Sequence, residues 1–558
     1  MVSFLYKWRR KIAHSPLAPF IPQFVSSFFE GFSKRQLISD ALAGLNLCAV
    51  GFPLALALAI GAGVDPEIGL YTAIVAAVVN SLLSGSRFVV GAPTGSFIIM
   101  VFSVVQRYGT AGLGCMMVQA ALILLLLGVL RCGKFVRFIS FPVIVGFTIG
   151  IAITLFVSQL RGFFGLSIPD GALDVVGRLH NVWKYIGTIN WYDGSIGLMA
   201  MCVIVLFQIY LPRFPGVVVA LALVTSVSYL CSFPVATIES SFGPIAHTIP
   251  LPKLPVFSLS LIQQTFPYAL GVAILAAVES LLCTVTLDNL MGTKHRSDCE
   301  LIAQGVTNLG ISFFGGIPAT ASLVRSTAAI QLKGASPWVG IFHGIGLLGL
   351  TCLFAPLTRR IPVSALSTVL MVVAARMLQR NHIKMLWHGQ IGETIVMLTT
   401  AFVTVFIDLK TAIQVGVFIS IILFLKKSSE STRGQLVPAT DHSWAYHHRS
   451  ITVAEERSTK VYEIEGPFFF AVSDLLVNLL SYFHPLPKKL ILRLRHVPFV
   501  DSTAVNALKQ FVNTCEDRGV ELFLAELNPQ VRESLDQFDF FSHFPEDHVL
   551  IAVDQGFL

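Results

Sequence analysis

Apolar residues in this chain come in long unbroken runs, not in the alternation of a strand or the stripe of a surface helix. Charge-free stretches cover Ala41–Val64, Ile68–Ser86, Tyr108–Leu130, Phe138–Leu160, Gly194–Pro212, Phe214–Ile238, Leu254–Val278, Leu301–Val324 and Gly334–Thr358. Most reach the roughly 20 residues that a helix needs to cross a hydrocarbon core about 30 Å thick. The pattern predicts an all-α polytopic membrane domain. It stops at Lys426–Lys427, and residues 428–458, opening SSESTRGQLVPATDHSWAYHHRS, are polar and read as a linker. Strands and helices then alternate. A strand is expected over Lys460–Glu465, an amphipathic helix over Val472–Phe483, and a strand over KLILRLR (489–495). A helix over Ser502–Asp517, a strand over GVELFLAEL (519–527) and a helix near Pro529–Gln537 complete the order. Such a succession predicts a small cytosolic α/β domain.

Two segments interrupt the membrane pattern in the same way: GAPTGSFIIM (91–100) and GGIPATASLV (315–324). Each has Gly and Pro, then Thr, then a short apolar helix, and each follows two longer apolar stretches in its half. Matching interruptions in two halves point to an inverted-repeat transporter with its site between two broken helices near the midplane. Plain kinks are the alternative, because Gly and Pro are common in ordinary membrane helices. Proline near a first turn marks a helix start, so the helices after Pro93 and Pro318 would aim free backbone N–H groups at the midplane, where an anion binds.

Arg325 lies five residues beyond Thr320, about 7.5 Å along a helix, and its side chain leans back toward the helix start. It is a candidate anion ligand, since intramembrane charges mark transport paths. Alternatively it neutralises a buried carboxylate. That carboxylate is Glu279, thirteen residues into FPYALGVAILAAVESLLCTV (266–285) and the only charged side chain there. A buried carboxylate can exchange a proton near neutral pH, which suits a coupling site; a static partner for Arg325 is the other reading. His343, in GIFHGIGLLG, reads as a packed, hydrogen-bonded histidine.

Composition supports the membrane assignment. Of 558 residues, 54% are hydrophobic and 13% charged, against about 25% charged in soluble proteins; the mean hydropathy is +0.73. The net charge of +7 reads as topology. Lys7, Arg9, Arg10, Lys11, Lys34 and Arg35 precede the first span and Lys426–Lys427 follow the last, which favours the cytoplasm for both ends and an even number of spans. No cleavable signal is expected, nor a nucleic-acid surface. The nine cysteines show no CxxC spacing, so neither disulfides nor a metal site is expected. Walker, GxSxG and HExxH patterns are missing, which argues against an enzyme, ATP drive and a cofactor.

With these residues in view, the chain resembles the SulP anion transporter family, whose animal relatives include anion exchangers and the hearing motor protein. The likeness runs from about Lys34 to Leu558 and rests on GLYTAIVAAVVNSLLSGSRFVVGAPTGSFII (69–99), AAVESLLC (276–283), ELIAQGVTN (300–308) and FFGGIPATASLVRS (313–326). It implies fourteen membrane segments in two inverted sets of seven, forming core and gate domains. The boundaries read as an N-terminal cytoplasmic segment 1–36, a transporter domain 37–427 with repeats over about 37–240 and 262–427, the linker 428–458, and a STAS domain 459–558. By position, the family's anion site falls between Thr94, Gly95 and Ser96 and Ala319, Thr320 and Ala321, with Phe52 and Pro53 beside it. Arg325 matches the basic residue of the tenth segment, and Glu279 an acidic position of the eighth.

Two departures from the family pattern refine this. A sodium-coupled bicarbonate branch has an aspartate followed four residues later by threonine; here the pair is Glu279 and Cys283, which removes a hard oxygen ligand and favours a proton. The first span, PLALALAIGAG (53–63), has Leu54 and Leu58 where sulfate-type members carry glutamine and tyrosine. With GTKHRSDCEL (292–301), that apolar wall looks closer to bacterial dicarboxylate-type members and ranks succinate or fumarate above sulfate or bicarbonate. In VPFVDSTAVNAL (497–508), Ser502 holds the place phosphorylated in soluble STAS relatives, but Asp501–Ser502 is also a good helix N-cap. The reading is a proton-coupled secondary transporter of small anions in the bacterial inner membrane or an equivalent, homodimeric by resemblance and lipid-embedded. Alternatives are an uncoupled exchanger or channel, and a membrane-anchored regulator acting through its STAS domain.

Overall fold

The apolar runs fold as helices, and the two interrupted segments meet. The computed structural model describes residues 18–553 apart from 32, 135–139, 169–174, 212–213, 244–250, 408, 438–457, 471–475, 477–478 and 552. The chain divides into two compact units, Met1–Val417 and Phe418–Leu558.

The first half of the membrane unit contains α1 (Gln23–Glu30), α2 (Lys34–Gly61), α3 (Pro66–Leu83), β1 (Gly91–Pro93), α4 (Ile98–Val129), α5 (Phe141–Phe163), α6 (Val175–Lys184), α7 (Trp191–Tyr210), α8 (Gly216–Leu230) and α9 (Ile238–Phe242). The second half contains α10 (Leu259–Met291), α11 (Ser297–Ser312), β2 (Ala319–Ala321), α12 (Leu323–Gln331), α13 (Trp338–Thr358), α14 (Val363–Met377), α15 (Arg380–Trp387) and α16 (Ile391–Phe406). Helix α17 (Leu409–Ser431) follows and runs from the first unit into the second.

Helix α4 is two segments joined at Gly109, whose φ of 65° and ψ of −168° interrupt it. Glycine takes that backbone without steric cost because it has no Cβ. The first half therefore supplies α2, α3, β1 with the start of α4, the rest of α4, α5, α7 and α8. The second supplies α10, α11, β2 with α12, α13, α14, α16 and α17. These are the two sets of seven that the resemblance implies. Strands β1 and β2 pair antiparallel, as segments from two inverted halves do.

One apolar cluster holds this unit together. It joins Leu58 of α2, Phe97 and Ile98 at the start of α4, Leu155 of α5, Leu275 of α10 and Leu370 of α14. Large apolar side chains such as Leu126, Leu198, Phe402 and Ile395 face outward, as a hydrocarbon solvent permits.

The second unit contains β3 (Arg433–Val437), β4 (Thr459–Glu465), β5 (Lys489–His496), α18 (Ser502–Asp517), β6 (Glu521–Ala525), α19 (Pro529–Gln537) and β7 (Val549–Leu550). The sheet order is β3-β4-β5-β6-β7. β3 runs antiparallel to β4, and the other pairings are parallel. Strand β5 is buried along most of its length, as expected of a central parallel strand. The stretch expected to be linker supplies the end of α17 and the edge strand β3; its remainder, 438–457, lies outside the described residues. Half of the helix expected over Val472–Phe483 lies outside them too, and Leu479–Tyr482 is a single 3-10 turn. In α18, burial pushes the Cys515 thiol up to about 12, so it packs as a small apolar group.

Candidate functional site

The site is built on a three-residue ladder. Gly91 is opposite Ala321, Ala92 opposite Thr320 and Pro93 opposite Ala319. Non-helical backbone at membrane depth must find partners within the protein, and neighbouring helices supply the rest. The Asn308 side chain of α11 donates to Ala319 O and accepts from Ala319 N, each at 2.9 Å. Ser280 Oγ of α10 accepts from Ala321 N at 3.3 Å, and Thr72 Oγ1 of α3 accepts from Ile317 N at 3.0 Å. Ser326 Oγ of α12 accepts from Val90 N at 3.0 Å. The sequence does not single out Asn308; it is one of two amides, with Gln304, in the uncharged 301–324 run.

This ladder corrects the placement of one helix start. Pro318 does not sit in a first turn: three strand residues follow it, and α12 begins at Leu323 with Ser322 as N-cap. Arg325 is thus the third residue of α12 while Thr320 is in the strand, so the two are not joined by helical rise. On the other side the expectation is closer. Thr94 follows Pro93 and is the N-cap of the 3-10 turn Gly95–Phe97 that leads into α4.

Thr94 makes no side-chain cap, and its hydroxyl is used elsewhere. Thr94 Oγ1 donates to Glu279 Oε2 at 3.4 Å, and Thr320 Oγ1 donates to the same oxygen at 3.3 Å. Ser96 Oγ donates to Glu279 Oε1. Glu279 is half-buried and precedes Ser280, which holds β2. Hydroxyls from both halves therefore converge on one carboxylate. Gly95 faces away from it: a Cβ there would stand 3.2 Å from Met377 Sδ and 3.5 Å from Val373 Cγ1. Its missing side chain lets the first turn of α4 lie against α14.

Arg325 is 6% exposed, and neither Nη1 nor Nη2 has a hydrogen-bond partner. Among the described residues no ion pair joins it to Glu279, so the reading of a static pair finds no support in the geometry. Cys48 of α2 and His343 of α13 pack against each other beside Phe52. Cys48 lies one helical turn before Phe52 on α2, in the same apolar cluster. Phe52 and Pro53 are both buried, and Pro53 inside α2 cannot supply the N–H that would bond the carbonyl four residues back. His343 is packed as expected, with Nδ1 3.4 Å from Cys48 Sγ, although its Nε2 has no hydrogen-bond partner. Gly51 makes room for it, since a Cβ there would stand 2.7 Å from His343 Cε1. Leu58 is buried in the main core while Leu54 is half-buried, so one of the two residues behind the dicarboxylate preference is core packing.

A second carboxylate, fully buried, has a different character. Glu300 accepts from Ser84 Oγ at 2.6 Å, Gly85 N at 3.1 Å and Gln304 Nε2 at 2.9 Å. It ties the start of α11 to the end of α3. In the STAS unit Asp501 caps α18, accepting from Ala504 N at 2.8 Å and from Phe470 N at 3.0 Å. Ser502 is exposed in the first turn.

Residues 37–400 match the Sulfate permease family and residues 450–551 match the STAS domain. The chain is 32% identical over 94% of its length to a putative sulfate transporter, YvdB, of Bacillus subtilis (strain 168), and covers 98% of that protein. It is 25% identical to the bicarbonate transporter BicA of Picosynechococcus sp., with 94% of each chain covered. The solved structure of SLC26A9 superposes with a TM-score of 0.84 at 19% identity, covering 99% of this chain and 94% of that one, a likeness of fold. The family match spans more than half of the chain and takes in both β1 and β2, and the chain belongs to the sulfate permease family.

Proposed function

We propose that this chain is a proton-coupled secondary transporter of small anions, with the anion held between β1 and β2 by the hydroxyls of Thr94, Ser96 and Thr320 and by the charge of Arg325. Phe52 and Pro53 form its apolar side, with Gly95, Ala319 and Ala321 supplying close backbone. One observation carries the reading: three hydroxyls from both halves donate to the single carboxylate of Glu279. An ionised Glu279 competes with an incoming anion for these donors. Protonation removes its charge and frees them, so the proton and the anion bind better together than apart. By reciprocity each raises the affinity of the other by the same factor. Arg325 supports the anionic class, because a buried guanidinium without a partner is costly until an anion meets it.

Relatives are named as sulfate and bicarbonate transporters, and we rank these two anions first. The dicarboxylate preference finds no support among the relatives above, and succinate becomes a competing arm of the test. Cell-membrane insertion with both ends cytoplasmic rests on the flanking basic residues, and a homodimer on the family resemblance.

The test is uptake of labelled sulfate, bicarbonate or succinate into proteoliposomes under an inward proton gradient, compared with counterflow at equal pH. The parent is expected to concentrate its substrate. Glu279→Gln is expected to keep counterflow and lose accumulation. A Glu279→Gln protein that still concentrates substrate, or a parent driven by sodium alone, would refute proton coupling at this residue.

A further inference from the structure

The upper end of strands β4 and β5 gathers ligands that no transport role uses. Glu463 and Glu465 are two apart on β4 and so project from one face of the sheet. His496 ends β5. The β4–β5 register runs from Glu463 opposite Arg493 to Glu465 opposite His496, with one extra β5 residue between the pairs. Without that bulge Arg495 would stand opposite Glu465. The bulge re-aims the strand end and exchanges an arginine for an imidazole beside two carboxylates.

We propose that Glu463, Glu465 and His496 form a site for a divalent transition-metal ion of the zinc class. His496 Nδ1 lies 3.3 Å from Glu463 Oε1 and 3.8 Å from Glu465 Oε1, and the three ligand atoms lie within 4.8 Å of one another. Zinc bonds to nitrogen and oxygen of about 2.0–2.1 Å in a tetrahedron place ligand atoms roughly 3.3–3.4 Å apart. The His496–Glu463 edge matches that value, and rotation of the half-exposed Glu465 shortens the two edges that it makes.

The second observation is Glu463 itself. It is 5% exposed, and its Oε1, the atom facing His496, has no hydrogen-bond partner. Buried carboxylate oxygens are ordinarily satisfied. Arg493 Nη1 approaches that oxygen at 3.5 Å, but the guanidinium is committed through Nε to Glu526 Oε2 at 3.0 Å. Arg493 is thus shared by Glu463 and Glu526, the exposed Arg495 reaches Glu526 Oε2 only at 4.0 Å, and the ion pair described for Glu465 is with His496. A divalent ion supplies the missing positive charge and gives Oε1 a bond. His496 is exposed and Glu465 half-exposed, and water completes the coordination as in other three-ligand sites. An imidazole ligand selects borderline metals over Ca²⁺ and Mg²⁺, which prefer oxygen.

The experiment uses the full chain in detergent, stripped with chelator, with His442, His447 and His448 replaced by alanine so that no other histidine-rich stretch of the sequence binds zinc. Zn²⁺ is titrated in competition with a fluorescent indicator. His496→Ala is expected to bind one Zn²⁺ fewer per chain. Glu465→Gln is expected to weaken that site by roughly ten-fold or more, since losses of even supporting groups cost about 10–100-fold. Zn²⁺ should raise the unfolding temperature of the parent background and not that of His496→Ala, and millimolar Ca²⁺ should not displace it. Equal stoichiometry in the two proteins, or no micromolar binding by the parent, would overturn the site. So would a His496→Ala protein destabilised equally in chelator and in zinc, which marks a plain ion-pair network.

Discussion

Two arginines are buried in this molecule to nearly the same degree and are treated in opposite ways. Arg493, 3% exposed in the central strand of the STAS sheet, has carboxylate oxygens at 3.0 Å and 3.5 Å. Arg325, 6% exposed at the start of a membrane half-helix, has a guanidinium whose two terminal nitrogens lack partners. Glu279, the carboxylate of the candidate site, is occupied by hydroxyls instead. Burial alone does not distinguish a structural charge from a functional one; the state of its partners does. A charge whose counter-charge is built in serves the fold, whereas a charge kept from the available carboxylate is free for a ligand.

The comparison breaks most visibly at Arg493. Arg493→Met leaves Glu463 and Glu526 buried without their cation, and removing one partner of a buried pair costs about 3–5 kcal/mol. The STAS unit of the full chain is expected to unfold at lower denaturant, with anion affinity in the membrane unit unchanged. Arg325→Gln is expected to do the reverse. Loss of a charge-assisted hydrogen bond of about 1.5–3 kcal/mol lowers anion affinity roughly 10- to 150-fold, while thermal unfolding stays close to that of the parent. An Arg325→Gln protein that unfolds early but binds its anion normally would put Arg325 in the same class as Arg493.

Asn308 sharpens the comparison on the backbone side. Asn308→Leu strips partners from both Ala319 N and Ala319 O, at about 1–3 kcal/mol for each buried group left unsatisfied. Anion affinity and unfolding temperature should fall together, because β2 is part of both fold and site. The smallest effects are expected at the start of α18. Asp501→Ala removes a cap worth about 1 kcal/mol and should lower the STAS unfolding temperature by a few degrees. Ser502→Ala should change neither stability nor transport. A transport defect in Ser502→Ala with normal unfolding would revive a regulatory role for that hydroxyl.

Some of this was legible in the chain alone. Hydrocarbon demands long apolar runs whatever they pack against, so the membrane helices and the α/β order after them could be read directly, although the last helix runs past Lys427 to Ser431. Helix signals that depend on neighbours in sequence also held: α18 and α19 start and stop where their caps and periodicity place them. The paired interruptions at 91–100 and 315–324 and the charges Glu279 and Arg325 were visible because each breaks an otherwise apolar pattern.

What the chain could not disclose are relations between distant residues. That Ala319–Ala321 is a strand and not a helical first turn depends on Gly91–Pro93 lying opposite and on Asn308 reaching across from α11. That Glu279 takes hydroxyls from Thr94, Ser96 and Thr320 and leaves Arg325 alone depends on side chains more than forty residues apart in several cases. That His496 stands beside Glu463 and Glu465 depends on one extra residue in a strand pairing. Helical pattern and hydrophobicity are local and are written in consecutive residues. Which buried polar group finds which partner is a property of packing, and only the tertiary structure decides it.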